Sequence, residues 1–244
     1  MLARGRTLPP MRFRLGPYPV MIRASILLIG VLIGAPFALQ GDWASALFFG
    51  AIWMGAIVVG VLTHELGHAV MVRRYGGDPT ITVFAFGGFT QWAPDPERPL
   101  TDRERFVVAA AGSAAQLAVA FAVYAVARVG VFGPTLARVF DRSPFVFPDA
   151  AFSQAGFWGF AVALLVYVGM VWSLFNWLPI RGLDGYHMLG AVLLERMPAQ
   201  RAVSLLNALS VGVGLIAGGL FALRGDLFIA LFIVWITLGG LRRG

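Results

Sequence analysis

The chain has 244 residues, 59% hydrophobic and 13% charged, with a mean hydropathy of +0.79. Soluble domains carry about 25% charged residues, so a water-facing surface over the whole fold is excluded, and the net charge of +7 is spread too thinly between apolar runs to form a nucleic-acid surface. Cysteine is absent, which excludes disulfide frameworks and thiolate metal sites and leaves His, Asp and Glu as metal ligands.

The N-terminal segment 1–23 holds Arg4, Arg6, Arg12, Arg14 and Arg23, with no acid before Asp42. Six stretches free of Asp, Glu, Lys and Arg follow, at 24–41, 43–63, 106–127, 150–180, 202–223 and 227–241. A spanning helix needs about 20 apolar residues, with a range of about 17–25. Five runs reach that length, and the last is flanked by Asp226, Arg242 and Arg243, whose side chains can reach the interface. The expectation is an all-α polytopic membrane protein of about six transmembrane helices, one integral-membrane domain over 1–244 with its core at 43–190. A cleavable signal peptide at 1–40 is the rival reading. The long basic lead and the lack of an A-x-A site favour an uncleaved first span. With 1–23 placed in the cytoplasm, fifteen arginines fall on that side and four (Arg128, Arg138, Arg142, Arg224) on the other, the asymmetry that sets orientation. The expected setting is a bacterial plasma membrane with both termini cytoplasmic and the lipid bilayer, not nucleic acid, as partner.

The second span contains His64-Glu65-Leu66-Gly67-His68, an H-E-x-x-H pattern. On a helix, residues i and i+4 share a face, so both imidazoles can reach one Zn²⁺, and the Glu beside the first His can act as general base toward water. Glu65 is the sole charged residue between Asp42 and Arg73, and an ionisable group inside a membrane marks function by default. A structural Glu–His pair between helices is the alternative.

Residues 79–94 are uncharged but begin and end with proline. Thr80, Ile81, Thr82, Val83, Phe84 and Phe86 are β-branched or aromatic, and Gly87-Gly88 reads as a hairpin turn. A membrane-associated β-hairpin is expected, and it must pack on the bundle or border a polar pocket, because open strand edges in lipid are forbidden.

Two histidines leave zinc short of the usual three protein ligands. After the fourth span the chain reads Asn176-Trp177-Leu178-Pro179-Ile180-Arg181-Gly182-Leu183-Asp184-Gly185. Spans two and four run in the same direction, so Asp184 falls on the same side of the membrane as His64 and His68. Pro179 breaks the helix, which would let Asp184 turn back toward a metal; the competing reading is a turn with Asp184 capping a helix from Gly185 to about Met197. His187 is either a further ligand or an interfacial residue. Gly212, Gly214, Gly218 and Gly219 point to close helix packing in the fifth span, and Trp43, Trp172 and Trp177 to interface anchors.

H-E-L-G-H in an early span followed by N-x-x-P-x-x-x-L-D-G in a later one resembles the site-2 protease family of intramembrane zinc metalloproteases, over most of residues 43–190. The resemblance implies that His64, His68 and Asp184 bind one catalytic Zn²⁺, that Glu65 is the catalytic base, and that Asn176 contacts substrate or transition state. It also implies a glycine-containing hairpin, which Phe86-Gly87-Gly88-Phe89 fits. Two places depart from the family. Its G-P-x-x-N pattern is met by Gly112-Ser113-Ala114-Ala115-Gln116, and two further prolines are replaced by Arg181-Gly182. The expected form is minimal, without PDZ or CBS modules, and the implied activity is endopeptidase cleavage of a membrane-protein substrate within or near a transmembrane segment. A transporter moving protons or metal through the same His/Glu/Asp cluster is the alternative, although transport does not require contiguous H-E-x-x-H spacing.

Overall fold

Met11–Leu15 alternates apolar with basic side chains, a period-2 pattern, and it forms strand β1 in the computed structural model, which describes residues 9–85, 87–93, 95–130, 156–225 and 227–241. Gly16, at a φ of 57°, and Pro17 turn the chain into β2 (Tyr18–Ile22), which pairs antiparallel with β1. Part of the basic segment is therefore sheet. A 3-10 turn (Ala24–Ile26) leads into α1 (Leu27–Leu39) and then α2 (Trp43–Arg74). Asp42 caps α2 by accepting from the Ser45 N–H at 3.0 Å, and Arg73 and Arg74 occupy its last turn, where cations suit the helix dipole.

The expected hairpin is present as β3 (Thr80–Phe84) and β4 (Gly87–Gln91). Its turn differs from the sequence reading. Phe84 pairs with Gly87 and Val83 with Gly88, so the chain reverses before Gly87 and both glycines belong to the returning strand. The sheet has the order β1-β2-β3-β4, with β2 and β3 parallel. A parallel pair needs a long crossover, and here α1 and α2 provide it. β3 is paired on both sides, which leaves β4 at an edge.

The chain divides into two compact units, Met1–Ala93 with Ala114–Val171, and Pro94–Ser113 with Trp172–Gly244. The long helices α3 (Asp102–Val129) and α4 (Gly156–Asn176) contribute residues to both. In the first unit, Val20, Ile81 and Val83 of the sheet pack with Val61 and Ala69 of α2, so the hairpin rests on the bundle as lipid exposure demands. Here α1 and α2 also cross closely. A Cβ on Gly34 would lie 2.6 Å from the Ala46 carbonyl oxygen, and one on Gly50 would lie 2.5 Å from that of Gly30, the small-residue contact typical of membrane helices.

The second unit contains α5 (Asp184–Leu194), α6 (Ala199–Leu223) and α7 (Leu227–Leu241). Its core joins Ile180, Leu183 and Ile233 to Val213, Ala217 and Phe221. Of the four glycines expected to pack in α6, Gly214 faces Thr237 and Gly218 faces Val234, whereas Gly212 and Gly219 meet nothing within 4 Å.

Four described helices are long and apolar enough to cross a membrane: Trp43–Arg74, Asp102–Val129, Trp158–Asn176 and Ala199–Leu223; Ala24–Leu39 and Ile229–Gly239 are shorter apolar helices. The six apolar runs thus correspond to six apolar helices among the described residues. Residues 150–155 of the fourth run lie outside the described set. Trp43 is exposed at the start of α2 and Trp177 just past α4, while Trp172 is half-buried beside Phe175.

Candidate functional site

His64 and His68 lie one turn apart on α2 and are buried. Their Nε2 atoms are 3.1 Å apart and their rings meet edge to face. Two nitrogens bound to one zinc at about 2.0–2.1 Å and a tetrahedral angle would be about 3.3 Å apart, so the pair has the spacing of a shared metal. Glu65 is only 4% exposed, a carboxyl deep within an apolar helix. Strand β4 stands against it. The Thr90 hydroxyl lies 2.8 Å from Glu65 Oε2 and 3.0 Å from the Glu65 carbonyl oxygen. A Cβ on Gly88 would come within 2.7 Å of Glu65 Cγ and Val61 Cγ1, so that position tolerates glycine alone without displacement.

Gln116 is buried on α3. A Cβ on Gly60 would lie 3.0 Å from its Nε2, so the amide sits against α2 one turn before His64.

In the second unit, Asn176 is buried at the last residue of α4. The chain then turns through Pro179 and Gly182, whose φ is 97°. Leu183 is the N-cap of α5 and Asp184 its first residue. Asp184 therefore does not act as the cap, and its carboxylate lies in the first turn, where the helix dipole favours negative charge. Three features hold it there. Ser113 of α3 donates to Asp184 Oδ2 at 3.3 Å. The Arg181 N–H donates to Ser210 Oγ at 2.8 Å, and the Tyr186 hydroxyl to Asn207 Oδ1 at 3.0 Å, which ties the loop and α5 to α6. A Cβ on Gly185 would collide with the carbonyls of Trp177 and Leu178, so the loop folds over the first turn of α5 because position 185 has no side chain. His187 is exposed and meets Tyr186 edge to face.

Residues 52–217 match peptidase family M50. The chain belongs to this family, the site-2 protease family. Among M50 relatives, "Putative zinc metalloprotease Rip3" of Mycobacterium tuberculosis, in strains Erdman and H37Rv, is 31% identical over 198 residues, covering 76% of this chain and 44% of the relative. The chain thus spans less than half the length of these curated relatives. The site-2 protease from Methanocaldococcus jannaschii has a similar fold, with a TM-score of 0.61 at 16% identity over 96% of this chain and 94% of that one. The M50 match contains every residue of the H-E-x-x-H pattern and of the Asn176–Asp184 segment.

Sequence reasoning did not find the contacts of Thr90 and Gly88 with Glu65 or of Ser113 with Asp184. No spacing pattern encodes them, and each residue reaches its partner through tertiary packing.

Proposed function

We propose that this M50 chain is an integral-membrane zinc endopeptidase that cleaves membrane-protein substrates within or near their transmembrane segments. The observation that carries the reading is the His64–His68 pair, with Nε2 atoms 3.1 Å apart, flanking a buried Glu65 inside an apolar helix. Asp184 is the third ligand in this proposal. In its support, the H-E-x-x-H pattern and the Asn176–Asp184 segment both lie within the residues that match peptidase family M50. The donor set of two imidazoles and one carboxylate suits a catalytic zinc that keeps one position open.

When bound, zinc supplies an acidified water and polarises the scissile carbonyl. Glu65 accepts a proton from the attacking water and returns it to the leaving amine. Burial keeps competing water away from the carboxylate, and Thr90 holds it at Oε2. Asn176, carried over from the resemblance, hydrogen-bonds the substrate. His64 and His68 lie nine and five residues before Arg73, a depth of about 8–14 Å at 1.5 Å per residue. On this reading the reaction takes place inside the membrane near its cytoplasmic face, with both termini cytoplasmic. A helical substrate must unwind to expose its carbonyls, and β4, as the sheet edge nearest Glu65, can receive the unwound segment as an added strand.

The test compares wild type with Glu65→Gln, both purified in detergent, for zinc content and for cleavage of a membrane-anchored substrate. Zinc in both and cleavage by wild type alone is expected, with a loss of about 10²–10⁴. Equal cleavage by the two proteins would falsify the role of Glu65. His68→Ala and Asp184→Ala should each lose zinc, and retention of stoichiometric zinc by either would remove that residue from the ligand set.

A further inference from the structure

Strand β4 presents two residues to α2 at the position of Glu65, and they act in opposite ways. Gly88 is a place where nothing fits: a Cβ there would lie 2.7 Å from Glu65 Cγ and 2.8 Å from Oε1. Thr90 is on the same face of the strand, two residues on, and its hydroxyl is in bonding distance of two oxygens of one residue, Glu65 Oε2 at 2.8 Å and the Glu65 main-chain oxygen at 3.0 Å. Both oxygens accept, and a hydroxyl has one proton, so Thr90 shares that proton between them and ties the side chain and the backbone of Glu65 to one point on the strand. Oε1 then lies over the bare Cα of Gly88. The strand thus meets the Glu65 side chain at Cγ and at both carboxylate oxygens.

We infer that Thr90 is a positioning residue for the general base: β4 aims the Glu65 carboxylate, with Thr90 as the bond and Gly88 as the clearance. The inference rests on the proposed role of Glu65. It makes the hairpin part of the proton-transfer apparatus as well as a surface for substrate, so any displacement of β4 also displaces the base. Neither residue supplies a metal ligand, so the metal should be indifferent to Thr90 while proton transfer is not.

The experiment uses the full chain in detergent with a membrane-anchored substrate. Thr90→Val removes the hydroxyl at nearly constant volume, Thr90→Ser keeps it, and Gly88→Ala pushes β4 and Glu65 apart. Thr90→Val is expected to keep wild-type zinc content and KM within about twofold, with kcat lower by about 10- to 100-fold, the cost of aiming a catalytic group wrongly. Thr90→Ser should restore kcat to within about threefold of wild type, and Gly88→Ala should lower kcat with zinc retained. Binding of a small hydroxamate to the zinc-loaded protein gives a readout without turnover: its hydroxyl needs an aimed carboxylate acceptor, so Thr90→Val should weaken binding by about tenfold and Thr90→Ser should not.

A Thr90→Val protein with wild-type kcat and hydroxamate affinity overturns the inference, as does a Thr90→Ser protein that is as impaired as Thr90→Val. If Thr90→Val fails to fold, the Thr90→Ser and Gly88→Ala results decide, and a fully active Gly88→Ala protein overturns the inference. Glu65→Gln separates the two levels. If it cleaves like wild type, the reading of Glu65 as base fails; if it is inactive while Thr90→Val is fully active, only the role of Thr90 fails.

Discussion

The Ser113 hydroxyl donates to Asp184 Oδ2 at 3.3 Å, joining residues 71 apart in sequence. Ser113 is fully buried and gives this chain a hydrogen-bond donor beside Asp184, which a proline at that position would lack. Outer partners of metal ligands hold the ligand's orientation, and their loss typically costs 10- to 100-fold in metal affinity. With Asp184 as the proposed third ligand and a bond that is long at 3.3 Å, Ser113→Ala should weaken zinc binding by about tenfold and Ser113→Thr should not. Competition with a chelating dye measures this. Unchanged affinity in Ser113→Ala would show that the bond leaves the carboxylate's aim unaffected.

Strand addition at β4 makes a separate prediction. β3 is paired on both sides and β4 on one, so within the hairpin a substrate strand can join at the outer edge of β4. Phe89 and Gln91 stand in the hydrogen-bonded pairs with Thr82 and Thr80, so the outward N–H groups of β4 are those of Gly88 and Thr90. A substrate peptide N-methylated at one residue of its unwound segment loses one bond to that edge, and its cleavage should fall by about tenfold, as expected for loss of a net 1–1.5 kcal/mol hydrogen bond. Equal cleavage of the methylated and unmethylated peptides would place the substrate elsewhere.

At the start of α3, Thr101 and Glu104 form a capping box. The Thr101 N–H donates to Glu104 Oε2 at 2.9 Å, and the Glu104 N–H donates to Thr101 Oγ1 at 3.2 Å. The Thr101 N–H holds the Glu104 carboxyl below its usual value of 4.5, against a smaller opposing effect of desolvation. A carboxyl lowered by folding stabilises above its unfolded value, and that contribution is lost as pH falls through the folded value. The amides of the first α3 turn should therefore keep their hydrogen-exchange protection at neutral pH and lose it below about pH 4.5. In Glu104→Gln this step should disappear; if the step persists, another group causes it.

The close crossing of α1 and α2 makes Gly34 intolerant of bulk, because a Cβ there would lie 2.6 Å from the Ala46 carbonyl oxygen. Gly34→Leu should destabilise the detergent-solubilised protein by about 1–3 kcal/mol, the usual cost of overpacking. Gly55 meets nothing within 4 Å, so Gly55→Ala serves as the neutral control in thermal unfolding. Equal midpoints for the two variants would mean that the helices separate without cost.

The hairpin shows how far the sequence could be read. Its strands were visible in the β-branched run Thr80–Phe84, but its turn was misplaced, since Gly-Gly is also what a close approach to another element requires, and Gly88 is such a case. The N-terminal strands were missed although Met11–Leu15 alternates regularly, because the arginines read more strongly as a charged leader. At the site, His64, Glu65 and His68 were legible from helical spacing. Asp184 was reached through direction of span and through resemblance, and its neighbour Gly185 shows its purpose only once the Trp177 and Leu178 carbonyls are seen beside it.

By itself the sequence determined the apolar helices, the arginine asymmetry between their two ends, and the paired imidazoles with a carboxyl between them. These properties are local: apolar length and i, i+4 spacing act within a single element. The tertiary structure alone decided that β2 lies beside β3, that Thr90 bonds Glu65 across 25 residues and that Ser113 bonds Asp184 across 71. Such contacts form only after α1 and α2 return the chain to the sheet and α3 is laid against α5. Their partners are selected by packing, which no spacing along the chain encodes.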